Sequence, residues 1–169
     1  MMFGYDVRPV VKEQVQSLGA TFLEAEELSD DAEDSGGYAR ELSEDAQERQ
    51  RNMLRDRIKE MDFVITTALI PGRAAPTLIT SEMVSSMRSG SVIVDIAAET
   101  GGNCEVTVPG STVVEDGVTV HGPINIPASL PIHASHMYAR NISSLLDELI
   151  LDDSLNLDFD DDIVGGSCI

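Results

Sequence analysis

Apolar residues fall in short bursts along this chain, and the spacing within each burst predicts its element. Residues 1–5 (MMFGY) read as the end of a strand with Asp6 at its tip. Pro9 to Leu18 reads as a helix, because Val11, Val15 and Leu18 recur at helical spacing, Pro9 suits a first turn and Gly19 a stop. Residues 20–25 (ATFLEA) form a short strand. Residues 26–37 have no apolar period and end in a glycine pair, as a loop does. The helical period returns from Arg40 to about Met61, with Leu54, Ile58 and Met61 on one face.

Residues 62–72 (DFVITTALIPG) predict a strand running into a turn, and 78–87 a helix capped by Thr80. Residues 90–102 give a Val/Ile strand ending in an acid and a glycine pair. Residues 111–122 give a hairpin turning at Glu115-Asp116-Gly117. A Pro-bearing loop then feeds a long amphipathic helix within 124–150, and 155–169 has room for one or two edge strands. Strands alternating with helices, apolar on both sides, predict a doubly wound parallel sheet covered on both faces. Such folds bind ligands at the carboxyl ends of their strands. Here those ends are Asp6, the loop after Glu24, Thr66–Leu69 and Glu99–Gly102.

Charge narrows the partners. Acids outnumber bases by 30 to 11, for a net charge of −19, which argues against nucleic acid or an anionic membrane surface as a direct partner. The acids thicken at 24–34 and 152–162 but stay interspersed with apolar residues. This fits a salt-adapted (halophilic) protein better than a disordered acidic tail. No stretch is long and apolar enough to span a bilayer. Two cysteines, Cys104 and Cys168, give no disulfide framework and suit a cytoplasmic setting.

Individual residues carry modest chemistry. Asp6, at a strand tip, suits either the adenosine ribose hydroxyls of a dinucleotide or the start of the helix at Pro9. Small residues in 66–72 let a nucleotide approach the backbone. Ser35-Gly36-Gly37-Tyr38 reads as a flap or a linker. His133 and His136 stand one helical turn apart, with no third ligand at metal spacing, and Cys104 has no evident neighbouring base. No serine triad or phosphate loop is present.

Three stretches together are more specific: DVRPVVKEQVQSLGATF, VITTALIPGRAAPTLITSEMVSSMRSGSVIVDIA and GGNCEVTVPG, in this order and spacing. They resemble the NAD(H)-binding alpha subunit (domain I) of the proton-translocating NAD(P) transhydrogenases, and SGGYARE and GGSCI extend the resemblance over essentially the whole chain. Alanine dehydrogenase, which shares the fold, usually has Asp-Gln-Gly-Gly where this chain has Glu99-Thr100-Gly101-Gly102. The resemblance implies a Rossmann-like domain over 1–130, incomplete at its N-terminus and without the family's Gly-rich turn. It also implies a crossover helix and tail (131–169) belonging to a second domain. It places Asp6, Val7 and Arg8 at the adenosine ribose, Gly37 and Tyr38 on a mobile loop, Thr67, Ala68 and Leu69 at a cofactor-contacting strand end, and Asn125 near the nicotinamide. It assigns no catalytic acid or base and no metal.

The implied activity is hydride transfer between NADH and NADP⁺, coupled to proton translocation. NADP(H) would sit on a partner subunit, and membrane-embedded subunits would hold this one at the membrane. The full-length subunit would be a homodimer. The alternatives are alanine dehydrogenase, or a non-catalytic nucleotide-binding module.

Overall fold

The computed structural model describes residues 1–24, 44–151 and 154–167. It divides into two compact units, Met1–Ile124 and Asn125–Ile169.

In the first unit, β1 (Phe3–Gly4) pairs in parallel with β2 (Thr21–Phe22) across helix α1 (Val11–Ser17). Gly19 ends that helix at φ 80°, a left-handed conformation that suits glycine. Helix α2 (Glu44–Ile58) leads into β3 (Phe63–Thr66), followed by α3 (Ser81–Ser85), β4 (Val92–Asp95), a 3₁₀ turn at Ala98–Thr100, β5 (Thr112–Glu115) and β6 (Val118–His121). Strands β3, β4 and β6 run parallel, and β5 closes the edge antiparallel to β6, in the order β3-β4-β6-β5. The hairpin turns at Asp116 (φ 49°) and Gly117 (φ 81°). Two consecutive positive φ values make the type I′ turn that matches strand twist.

The core lies on one face of the four-stranded sheet. Ile93, Val118 and Val120 pack with Met83, Val84 and Met87 from α3 and its end, and with Ile58 from α2. Leu54 adjoins this cluster, as its helical spacing predicts, and Met61 adjoins it from beyond the end of α2, which stops at Ile58 rather than at the expected Met61. Thr80 caps α3, its hydroxyl accepting from the Met83 N–H at 3.3 Å.

The expectation of cover on both faces is not met among the described residues. Phe63 and Ile65 are each 56% exposed, and Val92 and Val94, on the same face, are only partly buried. An apolar run shows that a strand can be buried on both sides, but not that both covering layers are present.

The parallel pair β1–β2 and the row β3-β4-β6-β5 are separate sheets, each with the parallel pairing of a doubly wound fold. Among the described residues no ladder joins them. β1 bonds only to β2, and β3 only to β4, and a cleft of about 860 Å³ runs along both β1 and β3.

In the second unit, α4 (Ile126–Ser129) precedes the long α5 (Pro131–Leu149), then a two-residue pair β7 (Ile150–Leu151) and β8 (Ser154–Leu155), then α6 (Asp162–Ser167). The tail therefore departs from the edge strands expected over 155–169. Asp161 explains the helix: its carboxylate accepts from the N–H groups of Ile163 and Val164 at 2.9 and 3.0 Å, capping it. Val164 is buried, and α6 contacts α5. Among the described residues, no helix is long and apolar enough to cross a membrane.

Candidate functional site

Asp6, Val7, Arg8, Thr67, Ala68 and Leu69 all line the cleft between β1 and β3. Two strand ends thus bring together six of the residues picked out from the sequence, although about sixty positions separate them. Asn125 lies in the second unit, exposed, in a left-handed conformation (φ 49°) just ahead of α4. Gly37 and Tyr38 lie outside the described residues.

Asp6 does not cap α1. That helix is preceded by Val10 and has no side-chain cap. Instead the Asp6 carboxylate faces Arg8 in a fork. Arg8 Nε donates to Oδ1 at 3.0 Å and Nη2 to Oδ2 at 2.9 Å, while the Arg8 backbone N–H donates to Oδ1 at 2.9 Å. Partial burial opposes the charge, but the Arg8 bonds outweigh it and hold the carboxyl below its ordinary value. Behind it, burial and the Asp6 charge push the Tyr5 phenol up to about 12, so it remains protonated. The fork half-neutralises both charges while leaving carboxylate lone pairs open for further donors.

The opposite wall is fixed from beneath by a buried polar network centred on Asp95, which is 0% exposed at the tip of β4. Its Oδ1 accepts from Thr66 Oγ1 at 2.9 Å, across the β3–β4 register, and from the Ala97 N–H at 3.1 Å. Its Oδ2 accepts from the N–H groups of Asn103 and Cys104 at 2.8 and 3.1 Å, and from Thr107 Oγ1 at 2.6 Å. Gly102 passes close beside it at φ 85°. A Cβ there would stand 2.7 Å from Asp95 Oδ2 and 3.1 Å from the Thr107 Cβ, which is the physical need behind the second glycine of the pair.

Asn103, also fully buried, reaches back to the end of β3. Its Oδ1 accepts from the Ala68 N–H at 2.9 Å, and its Nδ2 donates to the carbonyls of Ala68 and Pro76 at 2.9 and 2.8 Å. Sequence reading passed over Asp95 and Asn103. Their signal was a carboxylate closing an apolar strand and an amide directly after the glycine pair that follows.

Cys104 is buried, and burial pushes its thiol up, so the thiolate a nucleophile needs is disfavoured. His133 and His136 are exposed on α5. Among the described residues no three His, Cys, Asp or Glu side chains group in a way that would hold a metal. The arrangement offers hydrogen-bonding groups at the strand ends and a positioned backbone.

The family model described as "Alanine dehydrogenase/PNT, C-terminal domain" matches residues 1–169. The chain belongs to this alanine dehydrogenase/PNT family. Within it, the chain is 47% identical over 165 residues to the NAD(P) transhydrogenase subunit alpha of Haemophilus influenzae, covering 96% of this chain and 32% of that protein. It is 45% identical to the NAD(P) transhydrogenase subunit alpha of Cereibacter sphaeroides, covering 99% and 33%. Alanine dehydrogenase 1 of Staphylococcus aureus is 39% identical over 99 residues, covering 56% of this chain and 27% of that protein. Among solved structures, the transhydrogenase of Sinorhizobium meliloti superposes with a TM-score of 0.67 at 38% identity, covering 86% of this chain and 36% of that one. An L-alanine dehydrogenase gives 0.57 at 26% identity, covering 80% and 33%. Alanine dehydrogenase/PNT folds are thus its structural kin, and the chain spans about a third of the length of these two curated transhydrogenase relatives.

Proposed function

We propose that this chain forms the distal half of the NAD(H) site of an NAD(P) transhydrogenase alpha subunit. The observation that carries the reading is the reach of the likeness. Identity to transhydrogenase alpha subunits extends over 96% and 99% of the chain, against 56% for the alanine dehydrogenase.

The strand-end mouth of the cleft, where Asp6 and Thr67–Leu69 stand, is where a doubly wound fold takes a dinucleotide. At one strand end Asp6 presents carboxylate lone pairs to ribose hydroxyls, and its charge disfavours a 2′-phosphate, so NAD(H) is preferred over NADP(H). The forked Arg8 holds that carboxylate ionised and fixed in direction. At the other strand end, Thr67–Leu69 lets a ligand approach the backbone closely. Bound NADH supplies the hydride. The chain's own residues orient the nucleotide and bar water, which is what transfer between two nicotinamides asks of a protein. That division of labour agrees with a cleft of largely apolar lining that carries Asp6, Arg8 and Thr67 at its strand ends.

In this reading NADP(H) binds a partner subunit, and membrane-embedded subunits couple the transfer to proton movement. The complete subunit is a dimer held at the cytoplasmic face through those partners. The resemblance also assigns nucleotide contacts to Gly37, Tyr38 and Asn125.

Two hybrid proteins test the reading. Residues 1–169 replace the matching segment of a transhydrogenase alpha subunit in one, and of an alanine dehydrogenase in the other. The first, assembled with its membrane and NADP(H)-binding partners, is expected to reduce NADP⁺ from NADH. Alanine-dependent NAD⁺ reduction by the second, with no transfer by the first, would favour the dehydrogenase.

A further inference from the structure

The polar network under the β3 end runs from Asp95 through Asn103 to the backbone of Ala68 and Pro76. We propose that Asn103 is a positioning residue. Its side-chain amide pairs with the backbone of Ala68 and thereby sets the Thr67–Leu69 segment in the conformation that receives the nucleotide. This rests on the nucleotide-site reading above and adds to it a residue that never faces the ligand.

The geometry is that of a ladder rung made by a side chain. Asn103 Oδ1 takes the Ala68 N–H and Nδ2 returns a bond to the Ala68 carbonyl, both at 2.9 Å. The second Nδ2 hydrogen goes to the Pro76 carbonyl at 2.8 Å, so both amide hydrogens are used and the orientation of the amide is fixed by its partners. Asn103 is itself held at both backbone groups. Its N–H bonds Asp95 Oδ2 at 2.8 Å, and its carbonyl accepts from the N–H groups of Leu78 and Ile79 at 2.8 and 2.9 Å.

Ala68 sits two residues past Thr66, the last of β3, where ladder bonding to β4 has ended. Without Asn103 its N–H and carbonyl would have to find other partners, and the segment would lose the constraint that fixes its direction. Asn103 is 0% exposed, whereas Thr67 and Leu69 are exposed, so the clamp works from the side away from the cleft. No other common side chain supplies one acceptor and two donors at this size. A carboxylate here would face two carbonyl oxygens.

The test uses the transhydrogenase hybrid. Asn103→Asp removes both donors and keeps the size, and Asn103→Ser is a milder change should the first fail to fold. Val120→Ala, in the core but outside the network, controls for stability. Amide exchange at Thr67–Leu69 is read without ligand, and NADH Kd, KM and kcat are then measured. The Asn103 variants are expected to exchange faster at Ala68 and to raise NADH Kd and KM by about ten- to a hundredfold, the cost of a misplaced binding segment. Their kcat at saturating NADH should stay near that of the parent. Val120→Ala should lower the melting temperature with little change in Kd.

Folded Asn103 variants with parental exchange and Kd would overturn the clamp. So would a Kd loss of equal size in Val120→Ala at a matched melting temperature, since the role would then be stability alone. A parent hybrid that exchanges slowly at Ala68 yet does not bind NADH would instead reject the nucleotide site, and the positioning role with it.

Discussion

Asp6 shows how much one side chain's environment can change its reading. In sequence it is an acid before a helix. In the fold it is the acceptor of a three-bond fork from Arg8, with its side chain 26% exposed. Because the fork stabilises the charged form, the folded carboxyl titrates below its unfolded counterpart. Its contribution is therefore complete above the unfolded value and disappears as pH falls through the folded one. Asp6→Asn is expected to cost about 1 kcal/mol near neutrality, a figure already reduced for solvent screening. The gap between parent and variant should close as pH drops below about 4. Thermal melts of the two hybrids at neutral and acid pH check this. A gap that persists or widens in acid would mean that the fork does not stabilise the carboxylate.

At the scale of elements, the turn after β4 ties the sheet to the cleft. Gly102 and Gly101 both have positive φ, 85° and 108°, but only Gly102 has neighbours where a Cβ would go. Gly101→Ala should therefore cost only backbone strain, about 1–2 kcal/mol. Gly102→Ala should cost more, because the added carbon meets Asp95 Oδ2 and Thr107 and pries open the network beneath the β3 end. Melting temperatures of the two variants decide the matter, and equal losses would show that the Asp95 network yields at little cost.

The same elements show what was legible in advance. Helix α1, the capped α3, the hairpin and the long α5 followed from period, cap and turn chemistry, all local signals. The tail did not, because Asp161 as a helix cap competed with a β-branched pattern nearby. Asp6 could be located but its partner could not, since an Arg two residues on forks back only if the backbone turns. Asp95 and Asn103 escaped because their partners, Thr66, Ala68 and Pro76, lie 27–35 positions away. No local pattern encodes such a pairing.

For the whole molecule, the decisive fact is that β1–β2 and β3-β4-β6-β5 are separate sheets among the described residues. Among the described residues, both β1 and β3 turn an unpaired edge toward the cleft, and β3 also leaves Phe63 and Ile65 more than half exposed. In a doubly wound order the first strand runs centrally between two such sets of strands, and the turn that follows it presents a helix N-terminus to the pyrophosphate. Open edges beside apolar side chains invite pairing with other chains. The net charge of −19 opposes that association, but only while salt is low enough to leave the repulsion unscreened. Residues 1–169 expressed alone should therefore be loosely packed at low salt, associate as potassium chloride approaches molar levels, and bind NADH far more weakly than the hybrid subunit. Co-expression with the remainder of a transhydrogenase alpha subunit should restore a single species and NADH affinity together, because one inserted strand would pair both edges and complete the site. Light scattering and NADH titration across the salt series measure both effects. An isolated chain that stays monodisperse throughout, with the hybrid's affinity, would show that the two sheets are already a complete site.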